Sequence, residues 1–196
     1  MRVPELAKKH QTLPRRLFED LCCLAASLYL GGESLRFAHP RTELPAHFGK
    51  AVTTLCARLG EGQEFRKQPT LHSKDATLDV VAWKHFPDGL SGKLVLFGQC
   101  ASGGDWNSKL GALQPLSFCE QWMIEVPPSD LLRGFFVPHR IPYDSWSWTN
   151  RRGGILLDRC RIAHWTSSDQ AREPLEQITD WVEEALQDEA RQEAAA

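Results

Sequence analysis

No stretch of this chain approaches the roughly 18 consecutive apolar residues needed to cross a bilayer, and none of its apolar runs reads as a membrane span. The first residues, MRVPELAKKHQTLPRR, carry no apolar core of the kind a secretory signal needs. These absences argue against a membrane partner. Charge of one sign is also missing: 23 Lys and Arg stand against 25 Asp and Glu, a net charge of −2. No global pull draws the chain to nucleic acid or an anionic surface, so any polyanion site must be a local patch. The six cysteines form no C-x-x-C pair and no Cys/His cluster with zinc spacing. Most lie inside apolar segments, where a thiol acts as a small hydrophobe, and the compartment expected from this usage is the reducing cytoplasm. There is no Walker loop, dinucleotide fingerprint or G-x-S-x-G elbow. His72, His85, His139 and His164 are scattered and suggest no catalytic dyad. Repeats and low-complexity linkers are absent too.

What is present is an ordinary globular composition. Apolar residues make up 42% of the 196 and charged residues 24%, enough to bury a core without disulfides. Residues 1–16 are polar and basic and read as a loosely held arm. LFEDLCCLAASLYL (17–30) reads as a helix that is apolar on most sides, ended by Gly31-Gly32. After a loop with Pro40 and Pro45, HFGKAVTTLCARL (47–59) is an amphipathic helix. The period then changes: TLDVVAWKHF (77–86) and KLVLFGQCA (93–101) read as a hairpin around PDGLSG. DWNSKLGALQ (105–114) reads as a short helix that Asp105 can cap. SFCEQWMIEV (117–126) fits helix and strand equally. RGFFVPHRI (133–141) and GGILLDRCRIAHW (153–165) read as strands, and 173–196 as an acidic helix that fades into a tail. The expected fold class is α/β, a mixed sheet flanked by helices with an N-terminal helical addition. Its expected parts are an extension over 1–46, a main domain over 47–172 and the C-terminal helix over 173–196.

The densest polar group is KDATLDVVAW followed by LFGQCA. In an extended chain, side chains two apart share a face. Asp79 should then side with Val81 and Trp83, and Gln99 with Val95, Phe97 and Ala101. A tight hairpin sets the start of one strand beside the end of the other, so Asp79 and Gln99 are expected as neighbours. A carboxylate and an amide oxygen at one sheet edge can hold a hard cation such as Mg²⁺. The plainer alternatives are a turn and strand start for Asp75 and Asp79, and a backbone-satisfied buried amide for Gln99.

The pattern D-x-x-x-D, a hairpin, then Q-x-x, carried by Asp75, Asp79 and Gln99, resembles the Mrr-like branch of the PD-(D/E)xK nuclease superfamily. The family pattern has glycine where Thr77 stands and lysine where Ala101 stands. The resemblance covers about residues 47–165. It implies a restriction-endonuclease-like sheet and hydrolysis of DNA phosphodiester bonds with Mg²⁺ or Mn²⁺, in a subunit of restriction or anti-phage defence machinery. It makes Asp79 and Gln99 metal ligands, Asp75 an outer ligand, and Lys109 the stand-in for the missing lysine, with Lys74 a second substitute. Glu61 or Glu64 becomes a candidate third carboxylate. The metal would neutralise charge on the scissile phosphate.

Two further groups bear on partners. SGGDWNSKL (102–110) suits an anion at a glycine turn, or a turn and helix cap alone. PHRIPYDSWSWTNRRGG (138–154) interleaves Arg140, Arg151 and Arg152 with Trp146 and Trp148. That mixture suits a nucleic-acid groove and equally a protein interface. Arg159 and Arg161, read on one face of a strand, would line the same groove or pair with nearby acids. Cys100 is expected in the core. The rivals to a nuclease are a nuclease-fold module with a dead site that binds nucleic acid or a partner, and an assembly subunit that binds no nucleic acid. The helix 17–30 suits a partner protein or a second copy of the chain.

Overall fold

The alternating apolar residues of 80–84 and 94–100 build the centre of a five-stranded mixed sheet. The structure, a computed structural model, describes residues 3–67, 76–167 and 172–194. In chain order the elements are α1 (Val3–Leu30), β1 (Glu33–Arg36), α2 (Phe48–Leu59), β2 (Val80–Lys84), β3 (Leu94–Cys100), a 3-10 turn (Trp106–Lys109), α3 (Pro115–Trp122), β4 (Leu132–Phe136), α4 (Tyr143–Gly153), β5 (Ile155–Leu157), α5 (Arg159–Thr166) and α6 (Arg172–Ala194). The strands lie in the order β1-β2-β3-β4-β5. The first three form an antiparallel meander, and β4 and β5 join it in parallel. The chain is thus an α/β protein with a mixed sheet, helices on both faces and a long N-terminal helix, the fold class expected from the sequence.

Alternation divides the strand residues between two faces. On one face Leu35, Val81, Trp83, Val95 and Phe97 meet Phe48, Val52, Leu55 and Leu59 of α2 and Phe118 and Trp122 of α3. Beside them Ala101, Phe135 and Leu156 pack with Leu110, Val137 and Ile141. On the other face Val80, Ala82, Leu96, Cys100, Phe136 and Leu157 meet Cys22, Cys23, Ala25 and Ala26 of α1 and Ile162 of α5. Gly98 lies in register with Gly134. A Cβ on Gly98 would stand 2.5 Å from Cε2 of Phe136, so the bare backbone there makes room for that ring. Cys100 and four of the other five cysteines are buried, while Cys160 is exposed.

Several local expectations are corrected. The basic arm is not loose from Val3 onward: it continues α1, with Pro14 inside the helix. Strand β1 was not foreseen, because its pattern of four residues includes Arg36, a charge at a position that proves 3% exposed. Only Trp106–Lys109 of the 105–114 segment is helical, and Asp105 makes no side-chain cap bond. SFCEQW resolves as α3, with Pro115 near its start. The stretch 153–165 is not one strand. Asp158 ends β5 by accepting a bond from Arg161 N at 3.1 Å, which caps α5. Arg159 and Arg161 therefore belong to a helix. The Trp-rich stretch 143–153 is also helical, with Asp144 in its first turn and Arg151 and Arg152 in its last, charges placed to suit the helix dipole.

Phe97 is fully buried and meets Phe118 edge-on at 5.5 Å between ring centroids. Truncating Phe97 to Ala should cost about 3–5 kcal/mol of unfolding free energy, read by urea denaturation. Ellman's reagent should label Cys160 rapidly in the native chain. Cys56 and Cys119, whose thiols burial holds up to about 12, should react only on unfolding.

Candidate functional site

The corner where β2 begins and β3 ends holds Asp79 and Gln99, the pair at the centre of the sequence pattern. Asp79 stands one residue before β2, where the ladder slips. Its N–H donates to the Gly98 carbonyl at 3.0 Å, although Val80 is the residue in register with Gly98. On the other side its carbonyl accepts from Phe37 N and Ala38 N at 2.7 and 3.1 Å. Two residues facing one is the arrangement of a β-bulge, which re-aims side chains. Leu78, rather than Asp79, packs in the core with Val81. The turn that leads in is tight: Ala76 and Thr77 have φ of 52° and 65°, left-handed values that a β-branched residue seldom adopts.

Asp79 is turned toward α1. Its Oδ2 accepts from the Cys100 backbone N–H at 2.8 Å, and its Oδ1 lies 3.9 Å from Nη2 of Arg15. Asp79 is 4% exposed, so these contacts stand in for water. Cys22 and Cys100 lie beside it; burial raises both thiols above the ordinary value, and the Asp79 charge adds to the rise.

Gln99 goes the other way. It lies in register with Phe135 of β4. By alternation it sides with Phe97 and Ala101, opposite Cys100. It is 6% exposed, and its Oε1 is buried with no hydrogen-bond partner among the described residues. The two expected neighbours therefore do not share a face, because the bulge rotates Asp79 while β3 stays regular.

Ala101, where the family pattern has lysine, is fully buried among Leu110, Phe135 and Val137. A lysine there would carry a charge into an apolar core. Lys109 closes the 3-10 turn, and its Nζ pairs with Oδ1 of Asp105 at 3.8 Å rather than with Asp79. Asp75 and Lys74 lie outside the described residues. Glu61 belongs to the opposite end of β3: its Oε1 accepts from Gly92 N and Lys93 N at 2.8 and 3.2 Å. Glu64, exposed nearby, takes Ile124 N on its backbone carbonyl. Neither approaches Asp79.

The residues the sequence reading missed sit behind Asp79. Arg36 of β1 and Glu19 of α1 are 3% and 2% exposed. Nη1 of Arg36 meets Oε2 of Glu19 at 3.0 Å, and its Nε lies 3.1 Å from Oδ1 of Asp20. Nη2 of Arg36 donates to the Pro40 carbonyl at 2.7 Å. Arg15 joins this group to Asp79, with its Nε 2.9 Å from Oε1 of Glu19. Withdrawal from water raises the Glu19 carboxyl above its ordinary range, and the two guanidiniums offset only part of that. Asp20 is raised for the same first reason. Charges inside otherwise apolar runs, Glu19 and Asp20 in LFEDLCCL and Arg36 between Leu35 and Phe37, were the available signal.

As they are placed, Asp79 and Gln99, the two described members of the predicted donor set, do not form a Mg²⁺ seat between them. One oxygen of Asp79 is held by an amide and the other faces a cation. Among the described residues no three or more His, Cys, Asp or Glu side chains are arranged to hold a metal. Among the described residues, the buried Gln99 oxygen suits a hard cation.

The basic residues of 138–154 stand at both ends of α4, Arg140 before it and Arg151 and Arg152 in its last turn, where the Arg151 carbonyl accepts from Nη2 of Arg133 at 3.4 Å. Arg140, Arg151 and Arg152 all face solvent. The Arg152 guanidinium lies 5.0 Å over the Trp148 ring. The Arg161 guanidinium lies 4.5 Å over the Trp146 ring and donates to the Leu156 carbonyl at 2.9 Å.

No family model, no curated protein and no solved structure matches this chain.

Asp79 and Gln99 should respond oppositely to mutation. Asp79→Ala strands the Cys100 N–H and should cost about 1–3 kcal/mol, whereas Gln99→Leu removes an unpaired buried oxygen and should be neutral or stabilising. Urea melts of both variants check this. A pH series of melts reads Glu19. Its folded carboxyl is raised above the ordinary 4.5, so its stabilising contribution is full below that value and is lost as pH rises through the folded value. The stability of wild type relative to Glu19→Gln should therefore fall as pH rises through that window.

Proposed function

We propose that this chain is a nucleic-acid-binding module built on a nuclease-like sheet, with Asp79 acting as a structural latch at the corner where a nuclease would hold its metal. The observation that carries this reading is the engagement of Asp79 by Cys100 N and Arg15. The buried alanine at 101 supports it, since the lysine position of the family pattern is here part of the core. The likeness to the nuclease pattern is supported by the order of β2, β3 and the flanking helices. It is also supported by the left-handed backbone at Thr77, the conformation that the glycine of the pattern would favour. Nucleic acid is the proposed partner because Arg140, Arg151 and Arg152 are exposed and Arg152 lies over the exposed Trp148 ring, a composition that joins phosphate contacts to stacking. In this reading the chain works within a larger cytoplasmic assembly, with catalysis supplied elsewhere.

A second reading, the Mg²⁺-dependent DNA endonuclease implied by the resemblance, keeps one specific support: the unpartnered Oε1 of Gln99. In that reading Asp79 and Gln99 hold the metal, Asp75 completes it, and Lys109 assists the attacking water. For Asp79 to do so, its carboxylate must leave Arg15 and Cys100.

The two readings separate in one experiment. Labelled DNA is incubated with the full chain in EDTA and in Mg²⁺ or Mn²⁺, following both binding and cleavage. The module reading predicts binding in EDTA and no metal-dependent cleavage. Cleavage in Mg²⁺ that Asp79→Asn and Gln99→Ala abolish, with melting of both variants intact, would establish the nuclease and overturn the module.

A further inference from the structure

We infer that the outer face of α4 is a stacking platform for single-stranded nucleic acid, with Trp148 as the base-stacking ring and Arg151, Arg152 and Arg140 as its phosphate contacts. The inference rests on the nucleic-acid reading above and names the form of the ligand.

The sequence of α4, YDSWSWTNRRG, holds two tryptophans of different fate. Trp146 is half-buried against Phe135, Leu156 and their neighbours, and Arg161 covers it from α5. Trp148 stays 53% exposed, although an indole is among the side chains that gain most from burial. The Arg152 guanidinium lies 5.0 Å over its ring. Arg152 lies one helical turn on at i+4, which places it beside the same ring. A ring with a guanidinium at one side and solvent at the other can accept a base to make a three-layer stack. The Arg152 charge then lies close to the phosphate of the stacked nucleotide.

The electrostatics select an anion. Asp144 is the only acid in α4, whereas Arg151 and Arg152 close it and Arg140 precedes it. A positive patch on a chain whose net charge is −2 is a local feature. Tyr143, at the first position of the helix, is 96% exposed and adds a second ring. The helix is 11 residues long, or about 16 Å at the helical rise, and the i+3 and i+4 spacing sets Arg151 and Arg152 on the side of Trp148, with Asp144 one turn before it.

The form of nucleic acid follows from the ring. In a duplex, bases are stacked on one another and offer their faces to no side chain, whereas a single strand offers every base face. Phosphate contacts alone would serve either form. An exposed indole that carries binding energy serves only the unpaired one.

The test uses the full chain in EDTA, so that binding is read without cleavage. Fluorescence anisotropy is followed with a labelled oligothymidylate and with a duplex of equal length, over a range of salt. The single strand should bind more tightly. Trp148→Ala should weaken its binding by about 5- to 150-fold, while Trp148→Phe should keep most of it. Arg151→Ala should lower the slope of log K against log salt by about 0.7. Trp148 is exposed, so circular dichroism and melting of these variants should match wild type. Tighter binding of the duplex, or single-strand binding that Trp148→Ala leaves unchanged, would overturn the platform while leaving nucleic-acid binding in place. Binding of neither form, down to the lowest salt, would overturn the nucleic-acid reading along with it. If Trp148→Ala and Arg152→Ala instead abolish binding of a partner protein and no oligonucleotide binds, the face is a protein interface and the platform is wrong.

Discussion

A buried arginine governs how the first helix meets the sheet. Arg36 projects from β1 into the layer between sheet and α1, where it is 3% exposed. A guanidinium there is tolerable only if its charge is answered. Glu19 and Asp20 answer it from α1, at 3.0 and 3.1 Å. The apolar contacts of α1 come from the small Cys22, Cys23, Ala25 and Ala26 and from Leu30, with Phe18 and Leu21 partly buried beside them. Removing water from paired ions yields little net stability, and losing one partner is costly. What such a group supplies is a single permitted register. Slide α1 by one residue and Arg36 loses its 3.0 Å pairing with Glu19. The raised carboxyl of Glu19 records the strain of keeping that charge out of water.

The same ionic chain reaches the sheet edge. Arg15 touches Glu19 at 2.9 Å and faces Asp79 at 3.9 Å. The bulge at Asp79 turns the carboxylate toward this helix, and the bond to Cys100 N fixes it there. A corner that would offer an open carboxylate in a metal-dependent hydrolase is here joined to the helix packing. In the proposed reading, interaction with nucleic acid shifts to the exposed face of α4. The buried group and the exposed face then divide the work, one holding the layers and the other meeting the partner.

The sequence displayed the sheet centre well. The apolar alternation of VVAWK and LVLFGQC survives in the structure because each strand is buried on both faces and flanked by turns. Residues Phe48, Val52, Leu55, Cys56 and Leu59 of α2 keep their helical spacing in the core. Periodicity failed where tertiary contacts overrule it. Arg36 hides β1 because its charge is neutralised by residues 16 and 17 positions earlier, which no local window registers. Asp158 cuts ILLDRCRI into a strand and a helix with one cap bond. Helix α4 has a wide polar face and few core residues, so its period is faint. At the candidate site, the residue types and their place on the hairpin were legible, but the facing of Asp79 was not. A one-residue bulge inverts side-chain direction, and nothing in KDATLDVV announces it.

The measurement closest to the central claim is the side-chain carbon resonance of Asp79 during a Mg²⁺ titration, with the Gln99 side-chain amide followed in the same spectra. If Asp79 is a latch held by Cys100 N and Arg15, its carboxyl resonance stays fixed as Mg²⁺ is added, and so does the Gln99 amide. A saturable shift of both resonances at millimolar Mg²⁺ or below would mean that the corner opens to hold the ion, and would contradict the account.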